Sequence, residues 1–180
     1  MPTRKMGRFV ALFHHRWAVP VLAELHRGAG AKFVTLVNRL GIGRDSLRRT
    51  LAALIERGWV VKNPGHGHPL RPEYLLTPAG ARLAPWCARL MKVLHALRVE
   101  GVALRKWSMP VAYALSCGAE RFSEVKGCLA GSTPRALTGA LKEMQRAGLI
   151  ERIVSDGYPP ATFYQLTTRG RRLVPLLEHL

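Results

Sequence analysis

Basic and hydroxyl-bearing side chains recur in two stretches of the chain whose apolar residues have helical spacing. In the first stretch, the spacing predicts an inward face made of Leu47, Leu51, Leu54 and Ile55. Guanidinium groups suit the O6 and N7 atoms of guanine, and hydroxyl and ammonium groups suit phosphates and base edges. We therefore predict a nucleic-acid-binding face in each stretch, made of Arg44, Ser46, Arg48 and Arg49 in the first and Thr133, Arg135, Thr138 and Lys142 in the second.

The net charge of the chain supports the same chemistry. There are 28 Lys and Arg against 11 Asp and Glu, a formal charge of +17, in a sequence that is 48% hydrophobic. Disordered basic tails lack so much apolar content, so the charge must lie on a folded surface that attracts polyanions. Charge alone leaves RNA and anionic membranes open as partners. Residues 1–90 carry 15 basic and 4 acidic residues (+11), and residues 91–180 carry 13 and 7 (+6).

The two halves are related by an internal repeat of about 90 residues. A shift of 90 places Trp17 on Trp107, and matching residues follow in order through Gly80 and Gly170. So many matches in the same order indicate a duplicated module. We therefore predict two domains, which we call the first copy and the second copy: residues 1–90 and residues 91–180.

Each copy has the same order of predicted elements. Apolar spacing predicts three short helices per copy, and Ser132 is predicted to cap the third helix of the second copy. The segments that follow, WVVKN with EYLLT and LIERIV with FYQLT, are typical of paired strands joined by turn-formers. Three helices and a hairpin in this order predict a winged helix-turn-helix with the hairpin as the wing. The expected fold class is mostly α with small β-hairpins.

A fourth helix is predicted to begin at Thr77 in the first copy and at Thr167 in the second. Pro85 and Pro175 lie about two turns in, so a kink or a restart is expected at each. In the first copy the apolar stripe continues to Leu104, which predicts that a continuous or kinked helix joins the two domains. A similar stripe near the N-terminus suggests that the terminal helices pack between the copies.

The predicted wings offer further hydrogen-bond donors for phosphates or the minor groove. These are Lys62, His66, His68 and Arg71 in the first wing and Arg152 and Tyr158 in the second. A metal site at His66 and His68 is the less favoured interpretation, because no acidic or Cys partner lies nearby in the sequence. We expect neither a metal nor a cofactor.

The cysteines and the apolar segments bear on where the protein works. Cys87, Cys117 and Cys128 cannot all pair within the chain, and they form no C-x-x-C motif. Buried or inert thiols in a reducing cytoplasm are expected, with Cys117 and Cys128 in the core of the second copy. No apolar stretch reaches the length of a membrane span, and the run 9–13 is too short for a signal peptide. We expect a cytoplasmic, nucleoid-associated protein without a membrane partner.

The motifs of the second copy are RKWSMPVAYAL, ERFSEVKGCLAGSTPRALTGALKEMQRAGLIER and YPPATFYQLTTRGRRLVPLL. They resemble the HxlR family of bacterial transcriptional regulators, and the first copy carries degenerate versions of them in register. In this family each subunit has one such copy, and two subunits form a homodimer. The resemblance therefore implies that this chain, with two copies, is a single-chain pseudo-dimer. Many members sense oxidants through a Cys ahead of the Lys-Trp. No Cys precedes Trp17, and Cys87 lies about twenty residues before Trp107, so the resemblance does not extend to that mechanism.

The sequence is consistent with three functions. The first is a transcriptional regulator that reads two half-sites of double-stranded DNA as a pseudo-dimer, with further pairing of two chains left open. The alternative is an architectural DNA-binding protein with little sequence specificity, favoured by the extra charge and degenerate motifs of the first copy. The third is a protein-interaction module. The arginines on both predicted nucleic-acid-binding faces argue against it. An enzyme is the least supported class, since no nucleophile–base arrangement, phosphate loop or carboxylate pair stands out.

Overall fold

The computed structural model describes residues 2–63, 72–158 and 160–180, with side chains from Lys5 onward. Within these ranges the strands form two separate antiparallel hairpins, and the remaining elements are helices. In chain order the elements are α1 (Pro2–Leu12), α2 (Ala18–Arg27), α3 (Phe33–Leu40), α4 (Arg44–Glu56), β1 (Val60–Lys62), β2 (Tyr74–Leu76), α5 (Pro78–Leu97), α6 (Glu100–Ala103), α7 (Ser108–Ser116), α8 (Phe122–Cys128), α9 (Pro134–Arg146), β3 (Ile150–Val154), β4 (Thr162–Leu166), α10 (Thr168–Arg171) and α11 (Val174–Leu177). The predicted fold class, mostly helical with two winged helix-turn-helix units, is confirmed.

The chain forms two compact units. The first-copy unit is His15–Lys92, and the second-copy unit combines Met1–His14 with Val93–Leu180. The division falls close to the boundary expected at residue 90, but the first 14 residues group with the second half of the chain. Helix α5 begins in one unit and ends in the other.

In the first-copy unit, α2, α3 and α4 surround an apolar core. Helix α4 contributes Leu47, Leu51 and Leu54, each at most 2% exposed, as the helical spacing predicts. The expectation that Ile55 also faces inward is wrong, because its side chain is 40% exposed. At about 100° per residue, Ile55 lies some 80° around the helix from Leu47 and so falls at the edge of the buried stripe. Thr50, on the opposite side of the stripe, is 2% exposed, so the buried face of α4 is displaced around the helix from the predicted one.

In the second-copy unit, α1 packs against α7. All residues of α7 from Ser108 to Leu115 are buried, as expected for a central helix. The fully buried ring of Phe9 stacks on the ring of Tyr113, with 4.8 Å between the centroids. Burial of large aromatic rings is strongly stabilising. The apolar stripe near the N-terminus is thus buried within this unit.

The two matching prolines have different consequences. In the second copy the helix after the wing stops at Arg171 and restarts at Val174, with Pro175 in the new first turn. A proline fits a first turn because the missing N–H has no intrahelical partner there, so the predicted restart is confirmed. Pro85 brings no restart, since α5 continues past it for twelve residues to Leu97. Across the described ranges, no helix combines the length and the apolar character that crossing a bilayer requires.

A threonine connects each wing to the helix that follows it. Thr77 Oγ1 accepts a hydrogen bond from the N–H of Gly80 at 3.1 Å and donates one to the carbonyl oxygen of Gly58 at 2.6 Å. Thr167 makes the same two contacts in the second copy, at the same distances. The hydroxyl caps the new helix and also binds the glycine that follows α4 or α9, so it fixes the base of the wing.

A glycine allows close packing at this joint. Gly80 and Gly170 lie against the residue that precedes the first strand of each wing. A Cβ at Gly80 would come within 1.9 Å of the carbonyl oxygen of Trp59, and one at Gly170 within 2.0 Å of that of Leu149. Real Cβ atoms do not approach backbone oxygens so closely, so only glycine fits. Residues 74–80 and 164–170 share the pattern Tyr-x-Leu-Thr-x-x-Gly, which is therefore a structural joint between wing and helix.

Candidate nucleic-acid interface

A tight turn joins α3 to α4 in the first-copy unit. Gly41 adopts φ +58° at the end of α3, a left-handed conformation that glycine adopts without a steric penalty. Ile42 is buried and anchors the turn. Helix α4 then begins at Arg44, and its first turns form part of the protein surface.

The side chains predicted to bind nucleic acid in the first copy lie together on α4. Arg44, Arg48 and Arg49 are exposed, and Ser46 is half-buried beside them. Arg48 donates a hydrogen bond from Nη1 to Oδ1 of Asp45 at 2.8 Å, and both side chains remain more than two thirds exposed. Within the described part of the chain, Arg44 and Arg49 form no ion pair. The face therefore combines two free guanidinium groups with one that is held by a carboxylate.

The matching helix of the second copy, α9, begins with a hydroxyl cap. Thr133 Oγ1 accepts a hydrogen bond from the N–H of Ala136 at 3.1 Å, and Pro134 follows in the first turn. The prediction that Ser132 is the cap is wrong, because the cap directly precedes a proline at the first helical position. Ser132 is buried and donates to the carbonyl oxygen of Leu129. Thr133 thus sits at the start of α9 with its side chain fixed.

The two basic residues predicted to bind nucleic acid on α9 form no ion pair with any described residue. Arg135, Thr138 and Lys142 are exposed, and no ion pair links Arg135 or Lys142 to another described residue. The only acidic residue of this helix, Glu143, is bound by Arg105. The positive charge of the α9 face is therefore available to an anionic partner.

Only three of the six wing residues predicted to bind nucleic acid lie in the described ranges. Lys62 is exposed on β1, and its Nζ lies 3.4 Å from Oε1 of Glu73. Arg152 donates to the hydroxyl of Thr162 on the neighbouring strand at 3.1 Å, and Tyr158 is fully exposed at the end of the second wing. The remaining wing residues lie outside the described ranges: His66, His68 and Arg71.

A buried carboxylate connects α2 to α3. This connection was not predicted from the sequence. Glu24 is 6% exposed, and its two oxygens accept hydrogen bonds from Arg27 and, at 2.8 Å, from Arg39. Burial alone raises the pKa of Glu24, but the hydrogen bonds and positive charges of the two arginines outweigh burial and hold the pKa below its ordinary value. The position of Glu24 between Leu22 and Leu25 was the available signal, since a charge on an apolar face requires a partner.

Glu24→Ala is expected to lower the free energy of unfolding by about 2 kcal/mol, because two charge-assisted hydrogen bonds are lost. A lowered folded-state pKa stabilises the fold above the unfolded pKa of about 4.3, and this contribution is lost as the pH falls through the folded value. Urea unfolding at pH 7 and pH 3 should therefore show a larger effect of the variant at pH 7 than at pH 3. Glu56→Ala, at the exposed end of α4, is the control. Equal effects of the two variants would contradict the role of Glu24.

The thiols are not all buried as expected. Cys87 is buried, and burial raises the pKa of its thiol well above the ordinary value. Cys117 and Cys128 are exposed, so their placement in the core was wrong. They lie at the C-terminal ends of α7 and α8, where each helix meets the surface.

This difference sets an expected labelling pattern. A disulfide reagent such as Ellman's reagent should modify two thiols of the native protein rapidly and the third only in denaturant, because the exposed groups meet the reagent and Cys87 does not. Cys87→Ser should leave the rapid count at two. Rapid modification of three thiols under native conditions would contradict the burial of Cys87.

Known proteins resemble each half of this chain in sequence. The profile of the HxlR-like helix-turn-helix family matches residues 12–99 and, separately, 102–180. A protein of Methanothermobacter thermautotrophicus, described as an uncharacterised HTH-type transcriptional regulator, is 39% identical over 75 residues, which are 42% of this chain and 57% of that protein. YvaP of Bacillus subtilis, described in the same words, is 32% identical over 94 residues, which are 52% of this chain and 82% of YvaP.

Among solved structures, diamide-treated YodB from B. subtilis has 24% identity and a TM-score of 0.42, over 49% of this chain and 84% of that one. The match to the Methanothermobacter protein spans less than two thirds of its length. The family profile, in contrast, covers nearly all of the present chain in two consecutive matches. The chain belongs to the HxlR-like helix-turn-helix family, and it carries the family module twice.

Proposed function

We propose that this protein is a DNA-binding transcriptional regulator and that one chain reads two half-sites as a pseudo-dimer. The observation that carries the proposal is the exposed basic face at the start of both α4 and α9. In helix-turn-helix proteins this part of the recognition helix enters the major groove. Family membership and the names of the relatives support the same function.

In this proposal the two recognition helices read different bases. Arg44, Arg48 and Arg49 serve the first half-site, and Arg135 and Lys142 serve the second, where each can donate to guanine O6 and N7. Ser46, Thr133 and Thr138 and the wing side chains contact phosphates or base edges. In the repeat alignment Arg135 stands where the first copy has Asp45. The two half-sites should therefore be unlike in sequence.

The partner is double-stranded DNA, and reading it in this way calls for no metal, cofactor or catalytic group. The charge of +17 favours phosphate contacts, which release condensed counterions and make affinity fall with salt. A regulator of this kind works at the nucleoid in the cytoplasm. Two fused modules supply two recognition helices without subunit association, and further pairing of two chains is not required.

An architectural role with little sequence preference is the second candidate, favoured by the +11 charge of residues 1–90 and the degenerate motifs of the first copy. Repeated selection of bound duplexes from a random library separates the two functions. A regulator should enrich one site made of two unlike half-sites. Recovery of unrelated sequences at equal affinity would overturn the proposal and favour the architectural role.

A further inference from the structure

We infer that Asp45 is a positioning residue that orients Arg48 toward a single guanine in the first half-site. This inference rests on the proposed function, in which α4 reads bases. Asp45 would fix the orientation of the Arg48 guanidinium before DNA binds.

The geometry places the carboxylate directly beside the guanidinium. Nη1 of Arg48 donates to Oδ1 of Asp45 at 2.8 Å across one turn of α4. The side chains are 68% and 85% exposed, so the pair stands on the open face of the helix and not against the core. Such an exposed pair contributes little to stability. A carboxylate in the first turn of a helix also interacts favourably with the helix dipole, which favours an acid at position 45 but does not require it to pair with Arg48.

The remaining hydrogens of Arg48 match the edge of guanine. A guanidinium has five N–H groups, and the contact with Asp45 occupies one of them. Adjacent N–H groups remain free to donate in parallel to O6 and N7. An unheld arginine of this length samples many rotamers, and fixing one of them before binding reduces the entropy that is lost on contact.

A carboxylate on a DNA-binding face repels phosphates, so Asp45 weakens the general attraction of this face for DNA. Residues 1–90 contain only four acidic residues. Glu24 binds two arginines, Glu73 lies beside Lys62, and Glu56 is at the far end of α4. Asp45 is the one placed in the first turn of the recognition helix.

The second copy lacks this arrangement. Arg135 and Thr138 occupy the positions that match Asp45 and Arg48, so the first turn of α9 has no carboxylate. A device present in one recognition helix and absent from the other is suited to a site with two unlike halves. Only the first half-site should depend on it.

The test uses full-length Asp45→Ala, Arg48→Ala and the double variant. Binding is measured on the selected site, on versions with each guanine of the first half-site replaced in turn, and on a random duplex. Asp45→Ala should reduce discrimination at one guanine by about fivefold or more, while affinity for the random duplex stays equal or rises because a negative charge has been removed. Arg48→Ala should lose discrimination at the same guanine, and the double variant should match it. Glu56→Ala removes the same charge from the same helix and should leave discrimination unchanged.

The outcomes distinguish base reading by Arg48 from the positioning of Arg48 by Asp45. If Arg48→Ala leaves discrimination unchanged at every guanine, base reading by Arg48 fails, and the inference fails with it. If Arg48→Ala relaxes one position and Asp45→Ala does not, the positioning role alone is overturned. An equal effect of Asp45→Ala with and without Arg48 would also overturn it, because Asp45 would then contact a base itself. Asp45→Asn, whose amide oxygen can still accept a hydrogen bond from Arg48, should show discrimination between that of the parent and that of Asp45→Ala.

Discussion

Replacement of Arg135 and Lys142 by Ala is expected to relax base preference at one half-site, with a loss of about 1–3 kcal/mol for each base contact removed. Replacement of Arg48 and Arg49 should have the same effect at the other half-site. The reason is geometric, since all four side chains are exposed on the recognition helices. Titration of the selected site, of each half-site replaced separately and of a random duplex measures the change.

Arginines on another helix give a matched control for these variants. Arg82 and Arg89 are exposed on α5, and their replacement by Ala removes the same charge. This control should weaken specific and random duplexes by similar factors, because only phosphate attraction is lost. If the recognition-helix variants also weaken both duplexes equally, α4 and α9 do not read sequence.

Gly170→Ala is expected to destabilise the second-copy unit by about 3 kcal/mol or more, a large effect for the addition of one methyl group. The new Cβ would fall 2.0 Å from the carbonyl oxygen of Leu149, so α10 or the wing must shift. Gly80→Ala should act in the same way in the first-copy unit, where the corresponding distance to Trp59 is 1.9 Å. Urea unfolding followed by circular dichroism measures the loss.

The same substitution at Gly139 gives a control of opposite sign. Gly139 lies in the middle of α9, and a Cβ there meets nothing within 4 Å. Because alanine is the better helix former, Gly139→Ala should leave stability unchanged or raise it by up to about 1 kcal/mol. Similar destabilisation by Gly139→Ala and Gly170→Ala would show that steric closeness at the wing joint is not the cause.

The features that depend on local pattern were predictable from the sequence. The 90-residue repeat and the helical spacing of Leu47, Leu51 and Leu54 placed the recognition helices, and the turn-formers between short apolar runs placed the wings. In the structure Val60 pairs with Leu76 and Ile150 with Leu166, the same ladder in both copies. The basic face of each recognition helix followed from these elements.

The features that depend on partners distant in the chain were not predictable. Arg39 donates a hydrogen bond to Glu24, 15 residues away in the chain, and the ring of Phe9 stacks on that of Tyr113, which is far from it in sequence. No local sequence pattern predicts either contact. Other errors arose where two choices differ by one position. Ser132 and Thr133 are both good caps, and the position of the following proline decides between them.

The claim that one chain reads two half-sites is tested most directly by the mass of the protein–DNA complex. Native mass spectrometry of the full chain, free and bound to a short duplex that carries the selected site, gives the number of chains in each state. We expect one chain per duplex, with both half-sites protected from cleavage by hydroxyl radicals. A particle that always contains two chains, free and bound, would contradict the single-chain pseudo-dimer.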